Sequence, residues 1–180
     1  MRYMIGLMAA LAALPAMAAP WKIDAARSAL SFSGKQGDQP FSGQFTRFTP
    51  LVEFDPAQPE HGNITVRVDV ASVKVDDKNQ QDALPTEDWF FTRQYPTAIF
   101  TSQQITRQGD GYDVAGSLSL RGVSKPVTLH FTLEQGAVAH AHGTAQLNRA
   151  DFGIGQGQWK DDKWIAYPVT VSFDIYATKG

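Results

Sequence analysis

The sequence predicts an all-β protein whose strands close into an antiparallel barrel. Three observations lead there. Apolar and polar residues alternate with period two along most of the chain. Only one segment carries helix signals. The alternating runs are separated by short stretches rich in Gly, Asp, Asn and Pro, which suits hairpins joined in sequence order. Alternating strands need one covered face and one wet face. With almost no helix available as a cover, the economical solutions are a sandwich or a barrel. Short consecutive connections favour the barrel, and closure removes exposed strand edges.

The first eighteen residues stand apart from this pattern. Met1-Arg2-Tyr3 is a short positive start, the stretch from Met4 to Leu14 is apolar and uncharged, and Ala16-Met17-Ala18 is a small-x-small site. Residues 1–18 read as a signal peptide cleaved after Ala18, because a cut after Ala19 would place Pro20 directly behind the scissile bond. The apolar stretch is short of the roughly 20 residues a membrane-spanning helix needs. Residues 19–180 then form a single domain of net charge −3, the whole chain being −2. Met1, Met4, Met8 and Met17 all leave with the leader, and there is no Cys. A mature chain without sulfur suits an oxidising compartment outside the cytoplasm, so the expectation is an exported protein without stable membrane insertion.

The strands follow in order. Weak alternation covers residues 29–33, 41–48 and 51–54. Ile64, Val66, Val68 and Val70 alternate with Thr65, Arg67 and Asp69. Asp77 can cap a helix over residues 78–84, which Pro85 ends, and a second turn can follow over 86–91. The Trp89-Phe90-Phe91 run reads as a plug for one end of the barrel. A weak run covers 98–105. Tyr112, Val114, Gly116, Leu118 and Leu120 form one strong run, and Val127, Leu129, Phe131 and Leu133 form the next. Residues 138–147 are weak, and Val169, Val171, Phe173, Ile175 and Ala177 close the chain. That makes about nine strands.

Several chemistries are disfavoured. Without Cys there is no disulfide framework and no thiolate metal site. The slightly negative charge argues against a nucleic-acid binder. Ser28, Ser72, Ser102 and Ser124 sit in no G-x-S-x-G elbow. Asp76-Asp77, Glu87-Asp88 and Asp161-Asp162 read as loop or cap residues. Asp151-Phe152-Gly153 spells a kinase motif in a chain too short for a kinase. Gly153-x-Gly155-x-Gly157 lies among strands rather than before a helix, so it reads as a hairpin or access loop. His140 and His142 share one strand face and could ligate a metal with His130. The plainer reading is a polar outer face, and no metal and no cofactor are assigned. The twenty aromatic residues, all but Tyr3 outside the leader, are the strongest compositional signal.

The residues resemble the YceI-like family of exported, lipocalin-like proteins that bind polyisoprenoid lipids. The likeness runs from Trp21 to about Ala177. It includes Trp21-x-Ile23-Asp24, Gly43-x-Phe45, Phe54-Asp55-Pro56, Ala71-Ser72-Val73, Asp88-Trp89-Phe90 and Tyr95-Pro96-x-Ala98-x-Phe100-x-Ser102. Its most specific piece is Gly116-x-Leu118-x-Leu120-Arg121-Gly122-Val123-Ser124-Lys125-Pro126-Val127, and Arg149-x-Asp151-Phe152-Gly153-Ile154-Gly155 completes it. The resemblance implies an eight-stranded antiparallel lipocalin-like barrel with one or two short helices, a long apolar tunnel, a periplasmic location and no enzymatic activity. One motif departs. Relatives carry Phe-x-Val-Lys-His where this chain reads Phe32-Ser33-Gly34-Lys35-Gln36, and the loop Gly37-Asp38-Gln39-Pro40 is short. A quinone then fits as well as a polyprenyl phosphate.

A carrier of this kind needs length. A five-carbon prenyl unit contributes about 3 kcal/mol on burial, against an association cost of about 4–15 kcal/mol. Several units must be enclosed, and a ten-residue strand of about 33 Å is long enough. The expected tunnel lining is Phe32, Phe45, Val66, Val68, Phe100, Val114, Leu118, Leu129, Phe131, Val169, Val171 and Phe173. Lys35, Arg121 and Lys125 are the head-group candidates. The expected partner is an isoprenoid lipid or quinone, and an exposed strand edge or apolar mouth would allow a homodimer. Two rivals stand beside this reading. One is a filled barrel serving as an envelope-stress or interaction module. The other is an isoprenoid-modifying or hydrolytic enzyme, for which the residues offer no candidate set.

Overall fold

The computed structural model describes residues 20–180, so the expected signal peptide and its cleavage site lie outside the described residues. Eleven strands and one α-helix form, in the order β1 (Trp21–Ile23), β2 (Ala29–Gln36), β3 (Gln39–Phe45), β4 (Phe48–Glu53), β5 (Asn63–Asp69), β6 (Val73–Val75), α1 (Lys78–Ala83), β7 (Thr97–Gln108), β8 (Gly111–Leu120), β9 (Val123–Glu134), β10 (Ala139–Asn148) and β11 (Pro168–Lys179). All nine alternating runs are strands. The two extra strands, β1 and β6, have three residues each, too few to display a period.

The eleven strands make eight staves. Three staves are composite: β1 with β2, β3 with β4, and β5 with β6. The pairings then run round a closed ring. Stave β1/β2 pairs with β3 on one side and with β11 on the other. Stave β3/β4 pairs with β5/β6. From there β5 pairs with β7, β7 with β8, β8 with β9, β9 with β10 and β10 with β11, all antiparallel. This is the eight-stranded antiparallel barrel, with consecutive strands as neighbours.

The breaks in the staves have identifiable fastenings. At the kink between β3 and β4, buried Ser72 donates its Oγ–H to Asp69 O at 2.6 Å and its Oγ accepts from Arg47 N at 3.0 Å. Thr46 N also donates to Ser72 O. The kink moves the inward phase from Phe41, Gly43 and Phe45 to Phe48, Pro50 and Val52. In β7 the register shifts between Ser102 and Gln104, a β-bulge that moves the inward phase from Ala98 and Phe100 to Ile105.

One end of the barrel is covered. Asp77 caps α1 by accepting from Gln80 N at 2.9 Å, and residues 84–91 continue as irregular turns closed by bonds such as Phe90 N to Leu84 O. The aromatic plug forms as expected. Phe90 is buried, its ring 5.9 Å from that of Phe45 in an edge-on contact. The glycine-rich segment after β10 is not a hairpin. It links 3-10 turns at Arg149–Phe152 and Gly157–Trp159. The amides of Gly155 and Gln156 both donate to Asp88 O at 2.8 Å, and Trp159 packs on Trp89. These two segments together form a lid. The β2–β3 loop is also shorter than the four residues expected, because Gln36 pairs with Gln39 and Pro40 with Lys35.

Candidate functional site

The inner faces of the staves surround a cavity of about 210 Å³, open in part to solvent, with a wall that is apolar at every residue. Its β10 side runs from Ala139 to Leu147, about 26 Å at strand rise. Burial along the wall is uneven. Val114, Val70 and Ala145 are almost fully buried. Val66, Val68, Leu118, Leu129, Val171 and Phe173 point the same way but are only half-buried. In a barrel filled by its own side chains the whole inward phase would be buried. Here the remaining accessible surface of these residues faces the cavity.

Two sequence features make the room. On β10 the inward residues before Leu147 are Ala139, Ala141, Gly143 and Ala145, so most of this stave presents almost no side-chain volume. On β8, a Cβ at position 116 would lie 2.5 Å from the Phe100 ring and from Thr101 O. Only glycine there lets Phe100 lie flat across the neighbouring stave.

Ten of the twelve expected lining residues are in this wall: Phe45, Val66, Val68, Phe100, Val114, Leu118, Leu129, Phe131, Val171 and Phe173. Phe32 and Val169 are not. Phe32 is buried against Phe45, ring centroids 5.5 Å apart, and Val169 packs on the core at the lid end of β11. The residue pattern missed Phe48, Pro50 and Val52 of β4 and Trp21 and Ile23 of β1. The kink at Thr46-Arg47 hid the first group, and the shortness of β1 hid the second. Trp21 donates its indole N–H to Phe54 O at 2.8 Å, so its polar handle is used outside the cavity.

The cations lie outside the wall. Lys35 and Lys125 are exposed at the lid end. Lys125 stands opposite Leu118, on the cavity phase of β9. Arg121 is engaged in the lid, donating Nε–H to Trp89 O at 2.8 Å and Nη2–H to Glu87 O at 2.6 Å. Arg149, which follows the inward phase of β10, is 4% exposed. It donates to the carbonyls of Ile154 (2.8 Å), Asp161 (2.7 Å), Ile165 (2.7 Å) and Ala166 (3.2 Å). Burial pushes its pKa down, with Tyr167, Asp161 and Asp162 opposing that shift. At the other side of the barrel, β1 meets β4 through the bridge of Pro20 to Glu53. Phe48, at the opposite end of β4, lines both the cavity and a shallow outer cleft that holds Arg47, Arg67 and Asp69. Among the described residues no helix is long and apolar enough to cross a membrane.

Comparison with known proteins agrees with this architecture. The family model of the YceI-like domain matches residues 21–177. Protein YceI of Escherichia coli O17:K52:H18 is 35% identical over 91 residues, which is 51% of this chain and 48% of that protein. The match thus spans about half the length of that curated relative. The crystal structure of Burkholderia cenocepacia BcnA superposes with a TM-score of 0.84 at 36% identity, covering 87% of this chain and 100% of that one. A polyisoprenoid binding domain from Saccharophagus degradans shares the fold, with a TM-score of 0.63 at 16% identity over 91% of this chain and 99% of that one. With an eight-stave barrel, an apolar interior and a family match over nearly the whole described domain, this chain belongs to the YceI-like family.

Proposed function

We propose that the protein binds a long-chain isoprenoid lipid, either a polyprenyl phosphate or an isoprenoid quinone, in the barrel cavity and carries it unchanged through the periplasm. The observation behind this reading is the wall itself: long, apolar at every residue and left half-buried over part of its surface. Such a surface has no use for a polar ligand, whose groups would lose their hydrogen bonds there. It also presents no nucleophile, acid or base to a bound molecule, which favours carriage over catalysis. The polyisoprenoid-binding neighbour of the same fold supports the ligand class. A charged head would remain outside, because an unpaired charge in an apolar interior is strongly disfavoured.

The test is native mass spectrometry of the mature protein purified from a Gram-negative host, followed by organic extraction of the bound material. One prenyl lipid or quinone per chain is the expected result, and its mass identifies the head group. A chain that arrives without lipid and also rejects added long-chain polyprenyl phosphate and quinone would overturn the proposal.

A further inference from the structure

On the outer face of the barrel, far from the chemistry of the cavity, β9, β10 and β11 bring four metal-competent side chains together. In the β9–β10 ladder Glu134 stands directly opposite His140, and in the β10–β11 ladder Asp174 stands directly opposite His142. His140 and His142 are two apart on β10, so both point outward. The ligating atoms of Glu134, His140 and His142 all lie within 4.8 Å of one another.

We propose that Glu134, His140 and His142 form a binding site for a divalent transition ion, Zn²⁺ in the first instance, with Asp174 orienting His140. The geometry of His140 carries the argument. Its Nε2 lies 3.1 Å from Asp174 Oδ1. Its ring is stacked on Tyr176, centroids 4.2 Å apart and 5° from parallel, and Arg27 covers the other ring of that pair at 4.2 Å. The imidazole is therefore fixed in place, its side chain only 20% exposed although it sits on the outer face. In the tautomer whose Nε2–H donates to Asp174, Nδ1 carries the lone pair, and Glu134 Oε2 lies 3.7 Å from that nitrogen. In that tautomer both atoms are donors to a cation placed between them. Ligands about 2.1 Å from a tetrahedral Zn²⁺ are about 3.4 Å apart, close to the separation already present. His142 is exposed and rests on Thr132 Oγ1, 2.9 Å from its Nε2, free to turn toward the same point. Two imidazoles and a carboxylate are a donor set suited to borderline ions such as Zn²⁺ rather than to Mg²⁺ or Ca²⁺. A carboxylate holding the far nitrogen of a ligating His is the arrangement that fixes tautomer and ring orientation in metal sites. The ion would clip the β9–β10 hairpin on the outside and leave the cavity untouched.

The experiment is titration of the tag-free mature chain with ZnCl₂ against a chromophoric chelator at neutral pH, with a parallel thermal melt. The expected result is one saturable site per chain and a melt raised by Zn²⁺. His142→Ala and Glu134→Gln, both at exposed positions, should each weaken binding at least tenfold, and Asp174→Asn by about 10–100-fold. His61→Ala, a histidine outside the cluster, should bind as the parent does. The proposal is overturned if the parent shows no saturable site, or if His142→Ala and Glu134→Gln bind Zn²⁺ like the parent while folding normally by circular dichroism. Neither result bears on lipid carriage, which is read separately from the extracted lipid.

Discussion

Among the described residues, Arg149 is the one charged side chain that folding removes almost wholly from water. Its partners are four backbone carbonyls, three of them between Asp161 and Ala166. One planar fork thus satisfies a whole irregular loop whose carbonyls would otherwise be buried without partners. Arg149→Leu should therefore destabilise the domain by at least about 3 kcal/mol in urea unfolding, since several acceptors are left unpaired at once. Arg149→Lys should recover little, because a point charge cannot reach carbonyls on different sides. A loss under about 1 kcal/mol for Arg149→Leu would mean that the loop holds itself. In the sequence this residue is legible only as part of a family motif. Strand phase places position 149 inward, but a charged residue at the end of a run is ordinarily read as the point where the strand leaves the core.

At the scale of elements, the long staves were legible because their inward phase never breaks. β5, β8, β9 and β11 keep one phase from end to end. Of the weak runs, 138–147 is weak because its inward residues are mostly Ala and Gly, while some others change phase. β7 does so at its bulge, and the β3/β4 stave does so at Thr46-Arg47. An alternation score averages the two phases to nothing there. The lid was half legible. Its aromatic plug is visible in Trp89-Phe90-Phe91, but its fastening is not, because Arg121 reads as an ordinary turn charge. In the structure Arg121 and Gly122 both have positive φ, 52° and 75°, the conformation of a type I′ hairpin turn. A Cβ at Gly122 would meet the Tyr95 ring at 2.7 Å. The non-glycine residue in this strained position is held by its two bonds to the lid carbonyls. Arg121→Gly should relax the turn and still release the lid. The amides of Trp89, Phe90 and Phe91 should then exchange with deuterium at least tenfold faster, while those of β8 and β9 keep their protection. Unchanged exchange at Phe90 would show that the plug is held by packing alone.

At the scale of the whole molecule, the barrel is an unusual distribution of volume. Large rings cluster toward its ends, with Phe32, Phe45 and Phe90 beneath the lid and Phe54, Tyr112 and Phe131 at the opposite end. Between them the stretch of β10 from Ala139 to Ala145 offers only Ala and Gly to the interior. Rings toward the ends and a thin wall between them leave a cavity whose lining has not recovered all the free energy that burial offers, and a long apolar ligand supplies the missing contacts. This arrangement makes opposite predictions for two kinds of substitution. Ala141 is half-buried and in the wall, so Ala141→Phe should project a ring into the cavity. The lipid-free protein should then melt at the same temperature or a few degrees higher, because the new ring buries apolar surface without displacing neighbours. Its extractable lipid should fall at least tenfold. Val114 is fully buried, so Val114→Ala should cost about 2–3 kcal/mol by leaving a void in packed core. If the interior were instead filled, Ala141→Phe would overpack it and lose about 1–3 kcal/mol. The sign of that one change in melting temperature, measured beside the lipid yield, separates a carrier from a solid barrel.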